Sequence, residues 1–164
     1  MTRINASIDP KRLTNEHLMA EHREIIRMNA TLLQRIMNIR ENKPVSKIPD
    51  RFCLGQGHVL FFVDKPVYVF RRYRAIYQEC INRGLNVQDY SSDWDFKEYF
   101  SAQREGVITF KPAGRLDYAD PLIVERITQR IRESTKPYFH YYKRRVTKQE
   151  AINILNKVIH KQNL

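Results

Sequence analysis

Two sets of residues near the start of this chain have the types needed for nucleophilic and acid–base chemistry. The chain begins Met1-Thr2-Arg3-Ile4-Asn5. A small second residue permits removal of Met1, which leaves Thr2 with a free α-amine. Such an amine has an ordinary pKa of about 7.7–8.0, against about 10.4 for lysine, and so holds roughly 300-fold more neutral base at pH 7. It is a ready nucleophile for Schiff-base formation and needs no burial to activate it. Most chains that begin Met-Thr put that amine to no use, and the residues alone do not choose. The second set is His17, Arg23, Glu24 and Arg27. At 100° per residue, His17, Glu24 and Arg27 share one flank of a helix, with Arg23 at its edge. One carboxylate among two guanidiniums and an imidazole can hold a phosphate backbone and still supply a base. The pattern also suits a solvated face on which Glu24 pairs with Arg27 at i, i+3.

Other groups carry weaker signals. Tyr138-Phe139-His140-Tyr141-Tyr142-Lys143-Arg144-Arg145 mixes rings and cations, which suits stacking on DNA with Lys143 meeting phosphate, but also core packing. The Gly55-Gln56-Gly57-His58 segment can bring backbone close to a ligand, yet a turn uses glycine in the same way. His58 reads as a core or turn histidine. Cys53 and Cys80 stand alone, with no pairing suited to zinc, and read as small buried hydrophobes in a reducing compartment. No metal or small-molecule cofactor is expected.

The elements that position these residues read as mostly helical. After a short N-terminal arm, Thr14 or Asn15 can cap a long helix with Glu16 in its first turn. Leu18, Ile25, Leu32 and Ile39 recur every seven residues and predict one apolar stripe over about seven turns. Val59–Val63 suits either a strand or the lead into a helix. Asp64 can cap a second helix with Pro66 in its first turn, and Gly84 can end it. Residues 86–119 read as irregular loops. A third helix is predicted from Asp120 to Arg132. Thr147-Lys148-Gln149-Glu150 is a capping box that opens a last helix with Ile152, Leu155, Val158 and Ile159 on its apolar face.

The chain has 164 residues, with 29 Lys and Arg against 18 Asp and Glu, for a net charge of +11. Its length predicts one core, and its charge predicts a polyanionic partner, nucleic acid before an anionic membrane. No stretch reaches the roughly 18 apolar residues of a membrane span, and no signal-peptide pattern follows Met1. A soluble, cytoplasmic protein is expected, nucleoid-associated when bound to DNA.

Several ordered blocks together resemble a known family. They are Met1–Asn5, His17–Glu24, Leu54–Val59, Phe61–Lys65, Glu79–Gly84, Glu125–Arg130 and the aromatic cluster ending Tyr141-Tyr142. In this order and spacing they are similar to the pyrimidine-dimer DNA glycosylase/AP-lyase family, the phage-type endonuclease V. The resemblance covers about residues 1–145, with 86–119 poorly matched. It implies a mainly α fold, a compact single domain of about three core helices with irregular loops over residues 1–145; residues 146–164 have no counterpart in the resemblance, and their helix is expected as a C-terminal extension packed on the same domain. It also implies a DNA repair enzyme that excises the 5′ pyrimidine of cis-syn cyclobutane dimers and then cuts the strand. The Thr2 α-amine would be the nucleophile and Glu24 the catalytic carboxylate. Arg3, Arg23, Arg27 and Arg126 would hold kinked DNA, with His17 beside them. The implied partner is double-stranded DNA containing pyrimidine dimers or abasic sites, bound by a monomer without a metal. Ile26 stands where a helix-kinking proline occurs in the family, His22 replaces an aromatic, and Tyr138 replaces a tryptophan. These departures bear on lesion preference more than on the reaction. The alternatives are a non-catalytic module that binds damaged DNA, or the same chemistry directed at abasic sites or other damaged bases.

Overall fold

A computed structural model describes residues 4–157 of the chain. Thr2 and Arg3, and Val158 and Ile159 of the expected C-terminal apolar face, lie outside the described residues. The fold is mainly α, as expected.

The first helix opens as predicted, with the Thr14 hydroxyl accepting the His17 N–H and Glu16 in the first turn. It does not run unbroken for seven turns. Helix α1 (Asn15–Ile25) and helix α2 (Arg27–Arg40) meet at Ile26. Ile26 keeps right-handed helical angles, φ −63° and ψ −24°, so the interruption is one residue long and the chain does not turn back. The Asn29 N–H reaches the Ile26 carbonyl at 3.2 Å, the tighter 3-10 spacing. The break separates two packing tasks. α1 buries its face against helix α4 (Pro66–Asn82), while Met28 and Leu32 of α2 sit with Phe62, Val69 and Trp94.

The Val59–Val63 run lies mostly in a short helix, α3 (Gly57–Phe62). A Cβ at Gly57 would lie 2.5 Å from Cys53 Sγ, and Gly55 has φ +81°, so the two glycines serve the turn into α3. Cys80 is buried as expected, whereas Cys53 is only half-buried. Asp64 does not cap α4. Lys65 takes the cap position, and the Asp64 carboxylate instead holds the Lys65 ammonium at 2.7 Å in a buried pair. Gly84 ends α4 as predicted: at φ +70° it lets the Leu85 N–H reach the Cys80 carbonyl at 3.0 Å.

The stretch expected to be irregular contains a helix, α5 (Phe96–Arg104). The Asp95 side chain accepts the Glu98 N–H at 3.0 Å to start it. Helix α6 (Asp120–Glu133) has Pro121 in its first turn, as expected. The aromatic and basic cluster forms an antiparallel hairpin, β1 (Phe139–Tyr141) with β2 (Arg144–Val146), in which Phe139 lies opposite Val146. Helix α7 (Lys148–Leu155) opens on the predicted capping box. Glu150 accepts the Thr147 N–H at 2.7 Å, and Thr147 Oγ1 accepts the Glu150 N–H at 3.1 Å. Ile152 and Leu155 are buried, and α7 packs on α6 and on the hairpin. One core joins the elements and includes Ile4, Ala6 and Ile8 of the N-terminal arm. No described helix is long and apolar enough to cross a membrane.

Candidate active site

The arm is fastened from Ile4 onward. The Ile4 N–H donates to His58 Nε2 at 3.2 Å, and His58 Nδ1 faces the Cys53 carbonyl at 3.3 Å. That pairing puts the ring proton on Nδ1 and leaves Nε2 as the acceptor. Asn5 donates its backbone N–H to one oxygen of Glu21 at 3.0 Å and its side-chain amide to the other at 2.7 Å. Arg72 closes on the same carboxylate through Nε at 2.8 Å and Nη2 at 3.0 Å, and its Nη1 donates to the Ile8 carbonyl. Glu21 and Arg72 are both buried. Burial alone would lower the Arg72 pKa, but Glu21 overcomes it and holds the guanidinium above its ordinary value. A buried carboxylate survives because four donors from two elements satisfy it.

Beside this anchor opens a cleft of about 470 Å³ between α1, α6 and the hairpin. Asn5, His17, Arg23, Arg130, Lys136 and Phe139 are among its lining residues. His17 Nδ1 lies 2.7 Å from Thr14 Oγ1, and the ring stacks on Phe139 at 5.7 Å. Burial lowers the His17 pKa to about 4; Glu16 works against this, while Arg130 and Lys136 add to it. His17 is therefore a neutral, hydrogen-bonding ring at pH 7. Arg130 is itself lowered, first by burial and then by Arg126.

The predicted residues divide by place. Glu24 is on the last turn of α1, one turn beyond Glu21, and its largely buried carboxylate pairs with Arg27 at 3.4 Å. Arg27 opens α2, so this pair spans the break at Ile26. Arg23 is exposed and lines the cleft. Arg126 is exposed on α6, one turn from Arg130. Lys143 is elsewhere. It lies in the hairpin turn, where the Tyr142 N–H and carbonyl bond the Asn15 side chain at 3.2 and 2.8 Å. Asn15 begins α1, about 13 Å along the helix from Glu24.

Asn5, Glu21, Arg72, Arg130 and Lys136 were not singled out from the sequence. Arg130 had a signal, because i, i+4 spacing puts it on the same helix face as Arg126. The rings of the hairpin mostly hold it to the body. Phe139 is in the core, and the Arg83 guanidinium lies 5.0 and 4.5 Å from the Tyr141 and Tyr142 ring centres. The Tyr142 hydroxyl donates to Glu79 at 2.7 Å. Among the described residues, no group of three His, Cys, Asp or Glu is gathered to hold a metal ion.

The arrangement offers a neutral imidazole and a set of cations along one cleft that Asn5 also lines. The Glu24 carboxylate, with Arg27, lies at the junction of α1 and α2, next to Arg23 in sequence but not among the lining residues of the cleft. Cations so placed suit a phosphate backbone, and the carboxylate suits removal of a proton. A family model described as pyrimidine dimer DNA glycosylase matches residues 1–93. That range takes in the arm, α1 to α4, and the Glu21–Arg72 clamp, and it is more than half of the chain. The α6 and β1 walls of the cleft lie beyond it. On this match, the chain belongs to the pyrimidine dimer DNA glycosylase family.

Proposed function

We propose that the protein excises the 5′ pyrimidine of cis-syn cyclobutane dimers with the Thr2 α-amine and then cuts the strand by β-elimination, with Glu24 as the base. One observation carries this reading: Asn5 is bound through two hydrogen bonds to Glu21, one turn from Glu24. Three residues of extended chain span at most about 10 Å. The rise from Glu21 to Glu24 is about 4.5 Å. An amine at Thr2 is thus within reach of Glu24 and of the cleft that Asn5 lines.

The amine lone pair forms a bond to C1′ of the 5′ nucleotide of the dimer. The glycosidic C1′–N bond breaks, its electrons leave with the base, and the base takes up a proton. The C1′–O4′ bond then breaks: the nitrogen lone pair forms the C1′=N bond while O4′ takes the bond electrons and the remaining nitrogen proton, which opens the sugar ring and gives an imine between Thr2 and C1′. The imine withdraws electrons and acidifies the C2′ proton, which Glu24 removes. The electrons form a C2′–C3′ double bond and expel the 3′ phosphate, which breaks the strand. Nucleophile, base and leaving group are supplied without a metal or cofactor.

Arg3, Arg23, Arg27 and Arg126 hold phosphates of the kinked duplex, His17 contributes a neutral hydrogen bond, and Lys143 meets the backbone farther along. The protein works as a monomer on double-stranded DNA containing dimers or abasic sites, and the +11 charge gives salt-sensitive affinity independent of sequence. The test is cleavage of a duplex carrying a single dimer. Glu24→Gln should bind it as the wild type does and lose strand cleavage by roughly a hundredfold or more. Undiminished cleavage would remove Glu24 from its role, and an intact glycosidic bond after wild-type binding would overturn the reading as a whole.

A further inference from the structure

A second cleft, about 510 Å³, lies between α2, the α3–α4 connection and the loop 107–115, and it shares no lining residue with the cleft of His17 and Arg23. Among its lining residues are two ionised side chains that folding usually leaves in water. The Asp64 and Lys65 side chains are 3 % and 8 % exposed and are joined at 2.7 Å. Lys65 Nζ also donates to the Phe61 carbonyl at 2.6 Å. The ammonium also lies over the Phe61 ring, 4.0 Å from its centre, so its three protons are met by two oxygens and a ring face.

Arg35 of α2 lines the same cleft. Its Nη1 donates to the Ser46 carbonyl at 2.8 Å, while its Nε is buried without a hydrogen-bond partner. Lys111 and Arg115 stand on the exposed rim. Four cationic side chains therefore line the cleft with two carboxylates, Asp50 and Asp64; Asp64 is already held by Lys65, and Arg115 pairs with Asp117 at 2.8 Å, which leaves Arg35 and Lys111 as the cations outside these pairs. Tyr118, half exposed, gives the wall aromatic surface, with Phe61 buried behind it. A cleft of this size with a few convergent polar groups suits a small ligand, and this charge balance suits an anion.

We propose that this cleft binds a phosphate ester. Its oxygens accept from the Arg35 guanidinium and Lys111, with the buried Lys65 ammonium adding charge behind them, and its organic part lies along Tyr118. Arg supplies directional hydrogen bonds to such oxygens, and Lys supplies a point charge. The group can come from a free nucleotide or from the backbone of a duplex that passes over this face. Neither source depends on the Thr2 chemistry.

The test is calorimetric titration of the full chain, at constant ionic strength against chloride, with inorganic phosphate, with dTMP and with an undamaged duplex. Arg35→Gln should weaken phosphate-group binding roughly tenfold or more. Lys111→Gln, at an exposed position that leaves the fold intact, should weaken it about two- to fivefold. If both variants lose affinity for the duplex, the ligand is a backbone phosphate. If they lose affinity only for dTMP or phosphate, it is a free ester. The proposal is overturned if neither variant weakens binding of any of the three.

Discussion

Glu21 accepts two hydrogen bonds from Asn5, at 3.0 and 2.7 Å, while Arg72 grips the same carboxylate from α4. A carboxylate with no part in the proposed reaction thus fixes Asn5, three residues after Thr2. Asn5→Ala leaves the Glu21–Arg72 pair in place and removes only the side-chain bond. It should cost about 1–2 kcal/mol of stability. Cleavage of dimer duplex should fall more than binding does, because the nucleophile is misplaced while the cations remain. Glu21→Ala leaves Arg72 buried and unpaired, and urea unfolding should show a loss of about 3–5 kcal/mol. An Asn5→Ala protein that cleaves at the wild-type rate would contradict the positioning role.

His17 makes stability depend on pH. Its folded-state pKa is lowered to about 4 from an ordinary 6.5, chiefly by burial. Between these values the unfolded chain binds the proton and the folded chain does not, so stability rises with pH from about 4 to 6.5 and levels off above. The upper bound on this contribution is about 3 kcal/mol. Thermal unfolding of the wild type and of His17→Gln across pH 4–7 should show a steeper slope in the wild type. Parallel slopes would mean that the ring takes up its proton over the same pH range in the folded and unfolded chain.

The cations of the first cleft should set the salt dependence of DNA binding. Arg130→Gln and Lys136→Gln should each weaken binding to any duplex and reduce the slope of log K against log salt by roughly one. Lys143→Gln, at the far end of α1, should lower the slope only in duplexes that extend several base pairs past the lesion on one side. Fluorescence anisotropy at a series of salt concentrations, with short and long duplexes, checks both.

The close approach at Gly57 predicts a coupled pair of substitutions. A Cβ there meets Cys53 Sγ at 2.5 Å, so Gly57→Ala must displace that side chain and with it the turn that carries His58. A loss of about 1–3 kcal/mol is expected. Gly57→Ala combined with Cys53→Ala should recover part of it. A double-mutant cycle that is additive within about 0.5 kcal/mol would show that the contact is not the cause.

What the sequence made legible were elements with local chemistry. Thr14, Gly84 and the Thr147–Glu150 box mark helix ends through bonds made within a few residues, and each does so in the fold. Asp95 and Glu98 mark α5 in the same way, but Trp94, Gly106 and Pro112 around them made the stretch read as loop. The break at Ile26 was hidden because Ile25 and Met28 continue an apolar stripe on both sides of it. The clamp was not legible either. Glu21 resembles any surface carboxylate on a helix until Asn5, 16 residues before it, and Arg72, 51 residues after it, are brought to it by the fold.

The central claim is that a chain-terminal amine and Glu24 act together on one sugar. Borohydride reduction of the Met1-processed protein with dimer-containing duplex tests it most directly, because reduction fixes an imine as a permanent bond. The account predicts a covalent protein–DNA adduct whose DNA maps by mass spectrometry to the Thr2 nitrogen, absent when Met1 is retained. An adduct on a lysine, or none at all from protein that still cuts the strand, would contradict it.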